Sequence, residues 1–440
     1  MTHRHLHPSH APFDLAPFAP NVSQPETKYG LPASVEYCTR CVISNQRPSS
    51  TPEFRHTAAS TKQTIRFDTT GVCDACLLAD EKRTRIDWDT RRRELAELCD
   101  RFRRTDGRYD CIVPGSGGKD SFYASWVLKY EFGMHPLTVT WAPHLYTEWG
   151  WRNHQAWIHA GFDNVLLTPN GRVHRLLTRL AVENLLHPFQ PFVLGQKQLG
   201  PRMSALYDVP LVVYGENEAE YGNPREDAAR AQRAWHYFTE QDRASVFLSG
   251  TSLADLQTHY GLESHDLQPY LPPDPTPLAA TGTEVHYLGY YLNWHPQSCY
   301  YHAVEHGGFE ASPERTPGTY SKYNSIDDRM DDLHYYTTYV KFGIGRASYD
   351  AAQEIRSGDI DRAEGAALVR KFDGEFPERF ADELFRYLSL PPMEFPKAST
   401  AFESPIMDRA YFDALVNRFR SPHLWQFDGH RWALRRTVLR

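Results

Sequence analysis

The 440-residue chain is longer than a usual single hydrophobic core and predicts two or three structural units. Its formal net charge of -7 and its lack of a long basic run disfavour a general nucleic-acid-binding protein. No stretch approaches the ~18 consecutive apolar residues of a membrane helix, and no apolar signal core follows the start. The sequence therefore predicts a cytoplasmic protein without a membrane partner.

The first 35 residues are rich in proline and small residues and have no helical or strand periodicity. This composition predicts a disordered or draped tail. We interpret its four histidines as part of a solvated tail rather than as a metal site: His3, His5, His7 and His10.

Residues 36–85 contain two Cys-x-x-Cys pairs separated by 31 residues: Cys38, Cys41, Cys73 and Cys76. Each pair has the spacing that brings two thiolates to one tetrahedral ion, and closing the longer loop between the pairs costs little additional entropy. A strand at 63–68, followed by a turn at 70–71, fits the two knuckles of a zinc ribbon. The pattern thus predicts a structural zinc module, in preference to redox pairs or a disulfide.

Strands and helices alternate between residues 86 and 300, which we take as one domain. Strands are predicted at 109–113, 136–142, 164–168, 209–214 and 284–294, and helices at 91–104, 122–128, 146–160, 172–186 and 197–207. This order indicates an α/β fold with a doubly wound, mostly parallel sheet, whose ligands bind beyond the carboxyl ends of the strands. A charged, partly helical insertion is predicted from 223 to about 280.

A glycine-rich octapeptide joins the first strand to the next helix and forms the predicted nucleotide site: Pro114, Gly115, Ser116, Gly117, Gly118, Lys119, Asp120 and Ser121. Free backbone N–H groups and a helix N-terminus in this context favour a phosphate, and Lys119 adds a positive charge. It is not a Walker A loop, because Val113 stands where that motif has glycine. Asp120 beside a phosphate predicts an intervening Mg²⁺.

A second acidic stretch, Glu216, Asn217 and Glu218, follows the strand that ends at Tyr214. Its position beyond a strand end favours a role in cation or substrate binding over a plain acidic loop. Side chains that bind a second substrate, the acceptor, are candidates among Trp141, His144, Trp149, Trp151 and Gln196. Core packing is the simpler account of any one of them.

The region from 301 to 440 is predicted to be a helical module. A helix from 326 to 342 places Asp327, Asp331 and His334 on one face, with Lys322 and Arg346 near its ends as candidate phosphate contacts. Helix capping on a solvated face explains the acids equally well. Further helices are predicted at 348–356, 361–371, 378–388 and 407–419.

The segment from Ser116 to Ser121 resembles the SGGxDS loop of the N-type ATP pyrophosphatases, or PP-loop superfamily. Over residues 36–375 the chain resembles the N-acetyl sugar amidotransferases of surface-polysaccharide biosynthesis, through both cysteine pairs, the loop, the stretch from Gly215 to Glu218, and the motif from Asp327 to Arg346. The resemblance implies an adenine nucleotide alpha hydrolase-like domain. It also implies that ATP adenylates the acetamido oxygen of a nucleotide-linked N-acetyl sugar and that ammonia then displaces AMP to leave an acetamidine.

On this interpretation the expected catalytic residues are Lys119, Asp120, Glu216, Glu218 and Lys322, while Asn217 and Arg346 join the loop in nucleotide binding. Expected cofactors are ATP, Mg²⁺ on Asp120, and structural Zn²⁺ on the four cysteines. Met1-Thr2 offers no cysteine nucleophile and no cysteine lies in a Gly-x-Cys-x-Gly elbow, so a separate glutaminase partner is expected.

Two alternatives remain open at the level of sequence. A sulfur transferase or tRNA-modifying enzyme would use the same adenylation and often needs a reactive cysteine, for which Cys299 is the candidate. A non-catalytic ATP sensor would need the loop but has little use for Asp120 and the acids after Tyr214.

Overall fold

A parallel sheet forms the centre of the protein. The structure is a computed structural model that describes residues 12–50, 54–402 and 404–438, so the four histidines of the predicted tail lie outside the described residues. The strands are β1 (Cys111–Pro114), β2 (Pro136–Trp141), β3 (Asp163–Leu167), β4 (Leu211–Tyr214), β5 (Phe247–Leu248), β6 (Thr251–Ser252), β7 (Glu284–Tyr287), β8 (Trp425–Phe427) and β9 (Trp432–Leu434).

Five of these strands form the central sheet in the order β3-β2-β1-β4-β7, and every neighbouring pair is parallel. Two antiparallel hairpins, β5-β6 and β8-β9, lie outside it. The predicted α/β fold with a mostly parallel sheet is therefore confirmed. Because β1 lies at the middle of the sheet, the loop that follows it opens between two neighbouring strand ends.

Helices surround the sheet and make up most of the C-terminal region. They are α1 (Asp74–Thr84), α2 (Trp88–Phe102), α3 (Lys119–Trp126), α4 (Glu148–His159), α5 (Gly171–Leu185), α6 (Gln190–Tyr207), α7 (Arg225–Ala228), α8 (Leu253–Tyr260), α9 (Ser264–Leu267), α10 (Pro275–Thr281), α11 (Leu288–Tyr291), α12 (Pro296–Gly307), α13 (Met330–Phe342), α14 (Arg346–Ser357), α15 (Arg362–Phe372), α16 (Ala381–Leu388) and α17 (Arg409–Phe419).

Both faces of the sheet are buried, as the alternation of side chains along β1 and β4 shows. Ile112 and Val212 enter one apolar core with side chains of α5 and α6, whereas Val113 and Val213 enter a second core with α2 and α3. A strand with period-two side chains supplies both cores only when helices cover both faces. Continuous apolar strands such as Cys111–Pro114 are the sequence signature of this arrangement.

The N-terminal segment and the cysteine module pack on the C-terminal helices. Phe18 and Leu31 are buried against Trp425, so residues 12–35 are draped over the β8-β9 hairpin rather than disordered. The cysteine module shares a core with α14 and α15, and the Arg362 guanidinium donates hydrogen bonds to the carbonyls of Cys38 and Cys41 at 3.2 and 3.1 Å. Residues 12–35, the cysteine module and the C-terminal helices therefore pack together.

Three predictions of local structure differ from the structure. The 63–68 segment makes only isolated bridges, Pro48 to Thr64 and Phe67 to Cys73, because it wraps around the cysteine cluster without a neighbouring ladder. The helix predicted from 326 begins at Met330. Its preceding residues are held elsewhere, since the Asp328 carboxylate accepts hydrogen bonds from the backbone N–H groups of His144 and Met330. The strand predicted at 284–294 ends at Tyr287, where α11 begins.

Candidate functional site

The glycine-rich loop lies at the carboxyl end of the central strand, where β1 and β2 hold it. The Gly115 N–H donates to the Val139 carbonyl at 2.9 Å. Gly117 has φ +87°, and a Cβ on it would lie 2.7 Å from the His154 backbone. Both the left-handed conformation and the close approach require glycine at this position. The glycine in the sequence therefore permits this loop conformation, which another residue could not adopt without strain.

Helix α3 begins directly after the loop and presents its N-terminus to the same space. Its N-cap residue is Gly118, and no side chain caps the helix. A Cβ on Gly118 would meet only Ser116 Oγ, at 3.5 Å. The first N–H groups of an uncapped helix carry partial positive charge and bind anions. The geometry thus matches the phosphate cradle that the sequence predicts.

Lys119 and Asp120 form an ion pair at the start of α3. Lys119 Nζ lies 2.6 Å from Asp120 Oδ2, and the lysine side chain is 7% exposed. Burial opposes the charged form of Lys119, but neighbouring acidic groups, above all the Asp120 carboxylate, together outweigh it and raise the pKa of the lysine above its ordinary value. Asp120 Oδ1 is buried and has no hydrogen-bond partner among the described residues. One carboxylate oxygen therefore remains available to a ligand.

Glu216 brings a second carboxylate to this space from the end of β4. Burial, followed by the charge of Asp120, raises the pKa of Glu216 to about 7. A cation between two neighbouring carboxylates would relieve their repulsion. Together with the loop they line a cavity of about 240 Å³, here called the loop pocket: Pro114, Gly115, Ser116, Gly118, Asp120, Ser121, Trp141, Gln196, Lys197, Glu216, Glu218 and Arg233.

Glu218 lies in the loop pocket as part of a charge network. It forms ion pairs with Lys197 and Arg233, and the Tyr287 hydroxyl donates to it at 3.4 Å. Burial raises the pKa of Glu218, but the positive charges of Arg233 and Lys197 prevail and lower it to about 2. Because both cations already pair with Glu218, its chemical role is to orient them rather than to exchange a proton.

The structure does not bring all predicted site residues into the loop pocket. Asn217 is buried behind it, where its side chain accepts a hydrogen bond from the Ala219 N–H. Arg346 lies in a neighbouring cavity and pairs with Asp350 at 3.0 Å. Lys322 is exposed and donates to the Pro313 carbonyl at 2.8 Å. A catalytic role for Lys322 is therefore not supported by its placement.

The acidic motif before α13 reaches the loop from the opposite side. Ser116 forms a side-chain hydrogen bond with Asp327, and burial raises the pKa of that carboxyl group. Asp331 interacts with both Asp327 and Arg346, and its burial raises its pKa well above the ordinary value. These contacts favour the functional interpretation of the motif over a solvated helix face.

Two cations of the site have no local signal in the sequence. Lys197 belongs to α6, which packs on β1 and β2, and Arg233 belongs to the insertion before β7, where its N–H donates to the Val285 carbonyl at 2.7 Å. Their approach to Glu218 depends on tertiary packing. Of the residues considered for acceptor binding, Trp141 and Gln196 line the loop pocket, whereas His144 is buried and pairs with Asp328.

The four cysteines of the predicted zinc module converge on one point: Cys38, Cys41, Cys73 and Cys76. Cys38 Sγ lies 3.9 Å from Cys76 Sγ, and Cys41 Sγ lies 3.7 Å from Cys73 Sγ. Tetrahedral zinc with Zn–S bonds of about 2.3 Å places its sulfurs about 3.8 Å apart. Cys38 Sγ also accepts three backbone N–H groups, which suits a thiolate. The cluster therefore fits a structural zinc site.

Two comparisons with known proteins gave a match. Residues 317–438 match the family model described as LPS biosynthesis protein WbpG-like, C-terminal domain. The chain is 32% identical over 84 residues to the uncharacterized protein MJ1599 of Methanocaldococcus jannaschii, a stretch that makes up 19% of this chain. The chain spans 29% of the length of that relative. Among the described residues, no helix is long and apolar enough to cross a membrane.

Proposed function

We propose that the protein is an ATP-dependent amidotransferase of surface-polysaccharide biosynthesis that acts on a nucleotide-linked N-acetyl sugar. The observation that carries the proposal is the loop pocket, where an uncapped helix N-terminus meets the carboxylates of Asp120 and Glu216. The adjacent Lys119 pairs with Asp120. The match of residues 317–438 to a WbpG-like LPS biosynthesis domain supports the sugar pathway. We assign residues 86–300 to an adenine nucleotide alpha hydrolase-like domain of the PP-loop superfamily, because a glycine-rich loop follows the central strand of a parallel sheet.

In the proposed reaction the acetamido oxygen attacks the α-phosphorus of ATP, and the bond to the β-phosphate oxygen breaks to release pyrophosphate. Ammonia then adds to the activated carbon, loses a proton, and expels AMP with the original oxygen. The Lys119 ammonium and the N–H groups at the start of α3 stabilise the negative charge that develops on the departing pyrophosphate. No covalent enzyme intermediate is needed.

Asp120 and Glu216 are the residues that would hold Mg²⁺. The fit rests on the unpartnered Asp120 Oδ1 and on the buried Glu216, whose pKa is raised by burial and by the charge of Asp120. When bound, the ion would neutralise phosphate charge and polarise the phosphoryl group. Glu218 holds Lys197 and Arg233 at the edge of the same pocket, where both can contact phosphate oxygens.

A separate glutaminase is the proposed source of ammonia. All seven cysteines fall within the described residues, and all are buried: Cys38, Cys41, Cys73, Cys76, Cys99, Cys111 and Cys299. Four of them form the proposed zinc site, and the other three lie in apolar cores. Glutamine hydrolysis needs an accessible thiolate, which these environments do not favour.

The same burial weighs against sulfur transfer. Cys299 lies near Lys119 and Asp120, but it is 1% exposed, and burial raises the pKa of its thiol well above the ordinary value. A buried, protonated thiol is a poor nucleophile. We expect Cys299→Ala to retain turnover, whereas loss of turnover in a folded variant would favour the sulfur transferase.

The deciding experiment is product analysis with ATP, Mg²⁺, ammonium and UDP-N-acetylglucosamine. We expect AMP and pyrophosphate in equal amounts, and neither when the acceptor is omitted. Formation of ADP and phosphate would contradict the adenylation chemistry. Saturable ATP binding without turnover over a panel of N-acetylated nucleotide sugars would instead support the ATP sensor.

A further inference from the structure

A second cavity of about 350 Å³ lies beside the loop pocket and is built from several separate parts of the chain. The segment between the two cysteine pairs, helix α6, helix α13 and helix α14 each supply part of its lining. Among the described residues its lining includes five cations, and we call it the cationic cavity: Arg47, Lys62, Lys197, Lys341 and Arg346. Its volume lies in the range of small-molecule sites, roughly 300 to 1,000 Å³.

The described lining of the cationic cavity has more cationic than carboxylate side chains, and one of the cations, Lys197, also pairs with Glu218 of the loop pocket. Asp350 is the single carboxylate in its described lining, and other groups already engage it. Arg346 pairs with Asp350 at 3.0 Å, the Thr319 hydroxyl donates to it at 2.6 Å, and the Asn324 amide lies 3.3 Å away. A group of cationic side chains around one cavity favours an anionic ligand such as a phosphate ester.

Neutral polar and aromatic groups complete the lining. Burial lowers the pKa of His187 well below its ordinary value, and burial together with His144 and Arg346 lowers that of His334 to about 3. The Nδ1 atoms of both rings are buried and have no hydrogen-bond partner among the described residues. Tyr335 and Tyr349 supply ring faces beside them. Such groups suit the hydroxyls and the base of a nucleoside.

The cationic cavity and the loop pocket adjoin. Lys197 lines both of them. On the other side, Asp331 interacts with Arg346 of the cavity and with Asp327, which in turn bonds to Ser116 of the loop. A ligand anchored in the cavity can therefore extend toward the atoms that react in the loop pocket.

We propose that the cationic cavity binds the diphosphate and nucleoside of the acceptor, while the loop pocket binds ATP. The identification of the ligand as a nucleoside diphosphate sugar rests on the proposed function. Arg47 and Lys62 contact the diphosphate from the cysteine module, and Arg346 contacts it from α14. Nine of the lining residues belong to the segment that matches the WbpG-like domain: His334, Tyr335, Thr338, Lys341, Phe342, Arg346, Tyr349, Asp350 and Gln353.

The test is equilibrium titration of the full chain with UDP-N-acetylglucosamine and, separately, with ATP and Mg²⁺. Lys62→Gln should weaken UDP-N-acetylglucosamine binding about tenfold, the effect of losing one charge-assisted hydrogen bond, and should leave the Kd for ATP within about twofold. Arg346→Gln should act in the same direction. Lys119→Gln should show the reverse pattern, and Lys371→Gln, the same change on the exposed face of α15, should alter neither.

The proposal is overturned if Lys62→Gln, folded as judged by its thermal melting, binds UDP-N-acetylglucosamine like the unaltered protein. It is also overturned if Lys62→Gln weakens the binding of ATP as much as the binding of UDP-N-acetylglucosamine, because the cavity would then hold the phosphates of ATP. Should Arg346→Gln fail to fold, Lys62→Gln decides alone. These titrations measure binding without turnover. If the product assay fails but the predicted binding pattern is found, the proposed amidotransferase reaction is wrong and the proposed binding site in the cationic cavity stands.

Discussion

The loop pocket and the cationic cavity adjoin, yet they are built in different ways. The loop pocket takes most of its chemistry from two short stretches that follow neighbouring parallel strands, from Pro114 to Ser121 and from Gly215 to Glu218. The cationic cavity draws on residues as distant in sequence as Arg47 and Gln353. The first depends on backbone conformation and strand order, and the second on how separate modules pack.

Because the two pockets are built differently, different mutations should disturb them. Glycines and a helix N-terminus within the sheet core maintain the loop pocket, so disturbing the cysteine module should leave it intact. The cationic cavity depends on that module, because Arg47 and Lys62 lie between the two cysteine pairs. Variants that disturb only one pocket therefore test whether the two pockets are structurally independent.

The largest effect is expected from Asp120→Asn in the loop pocket. Loss of this carboxylate should lower kcat at least about 100-fold, because Mg²⁺ would lose a ligand beside the phosphates. UDP-N-acetylglucosamine binding and the thermal melting temperature should change little. Asp100→Asn, the same change at a carboxylate that is 75% exposed, is the control. Unchanged turnover of Asp120→Asn would remove the proposed metal role.

Zinc removal should act on the cationic cavity. We expect Cys73→Ser to abolish zinc binding, disorder the cysteine module and weaken UDP-N-acetylglucosamine binding by more than about tenfold. The Kd for ATP should stay within about threefold on the same scale. Metal analysis should find about one zinc per chain in the unaltered protein and in Cys99→Ala, the control. An equal loss of affinity for ATP and for UDP-N-acetylglucosamine would show that the two pockets are not structurally independent.

Lys197 lines both pockets and should couple them. Lys197→Met removes its charge but leaves Glu218 paired with Arg233, so the fold should persist. We expect both ATP and UDP-N-acetylglucosamine to bind about fivefold to tenfold more weakly, as titration can measure. An effect on one ligand alone would place Lys197 in a single site.

The smallest effect concerns pH and the anchoring of the cysteine module. The buried His423 ring lies 3.1 Å from Gln46 Oε1 and 2.6 Å from Ser421 Oγ, and burial lowers its pKa to about 4. Because the unfolded chain binds this proton at higher pH than the folded chain does, stability should fall as pH drops from about 6.5 to about 4.

Denaturant unfolding at about pH 7 and about pH 4.5 measures this contribution. His423→Gln should reduce the acid-induced loss of unfolding free energy by about 1 kcal/mol, with solvent screening taken into account. An identical pH dependence in the variant would contradict the assignment to His423.

Several features of the molecule were predictable because their causes are local. A run of apolar residues, a glycine-rich turn and a helix start define the segment from Cys111 to Trp126, and the structure forms it as β1, the loop and α3. The Cys-x-x-Cys spacing likewise predicted the cluster of four sulfurs. Parallel strands end at one edge of a sheet, so the convergence of Glu216 and Asp120 also followed from the strand pattern.

Other features depended on packing between distant segments. Lys197 and Arg233 reach Glu218 only because α6 and the insertion dock on the sheet, and the sequence predicted neither. Lys322 carries the charge expected of a phosphate contact but lies exposed, and Arg346 faces the second cavity rather than the loop.

The sequence by itself determined the sheet, the glycine-rich loop and the cysteine cluster, because backbone geometry and short-range spacing specify each of them. Two features depended on the tertiary structure alone: which cations line each pocket, and the presence of a second, cationic cavity beside the first. A side chain's charge is written in the sequence, but its position depends on long-range contacts, which residue order alone does not reveal.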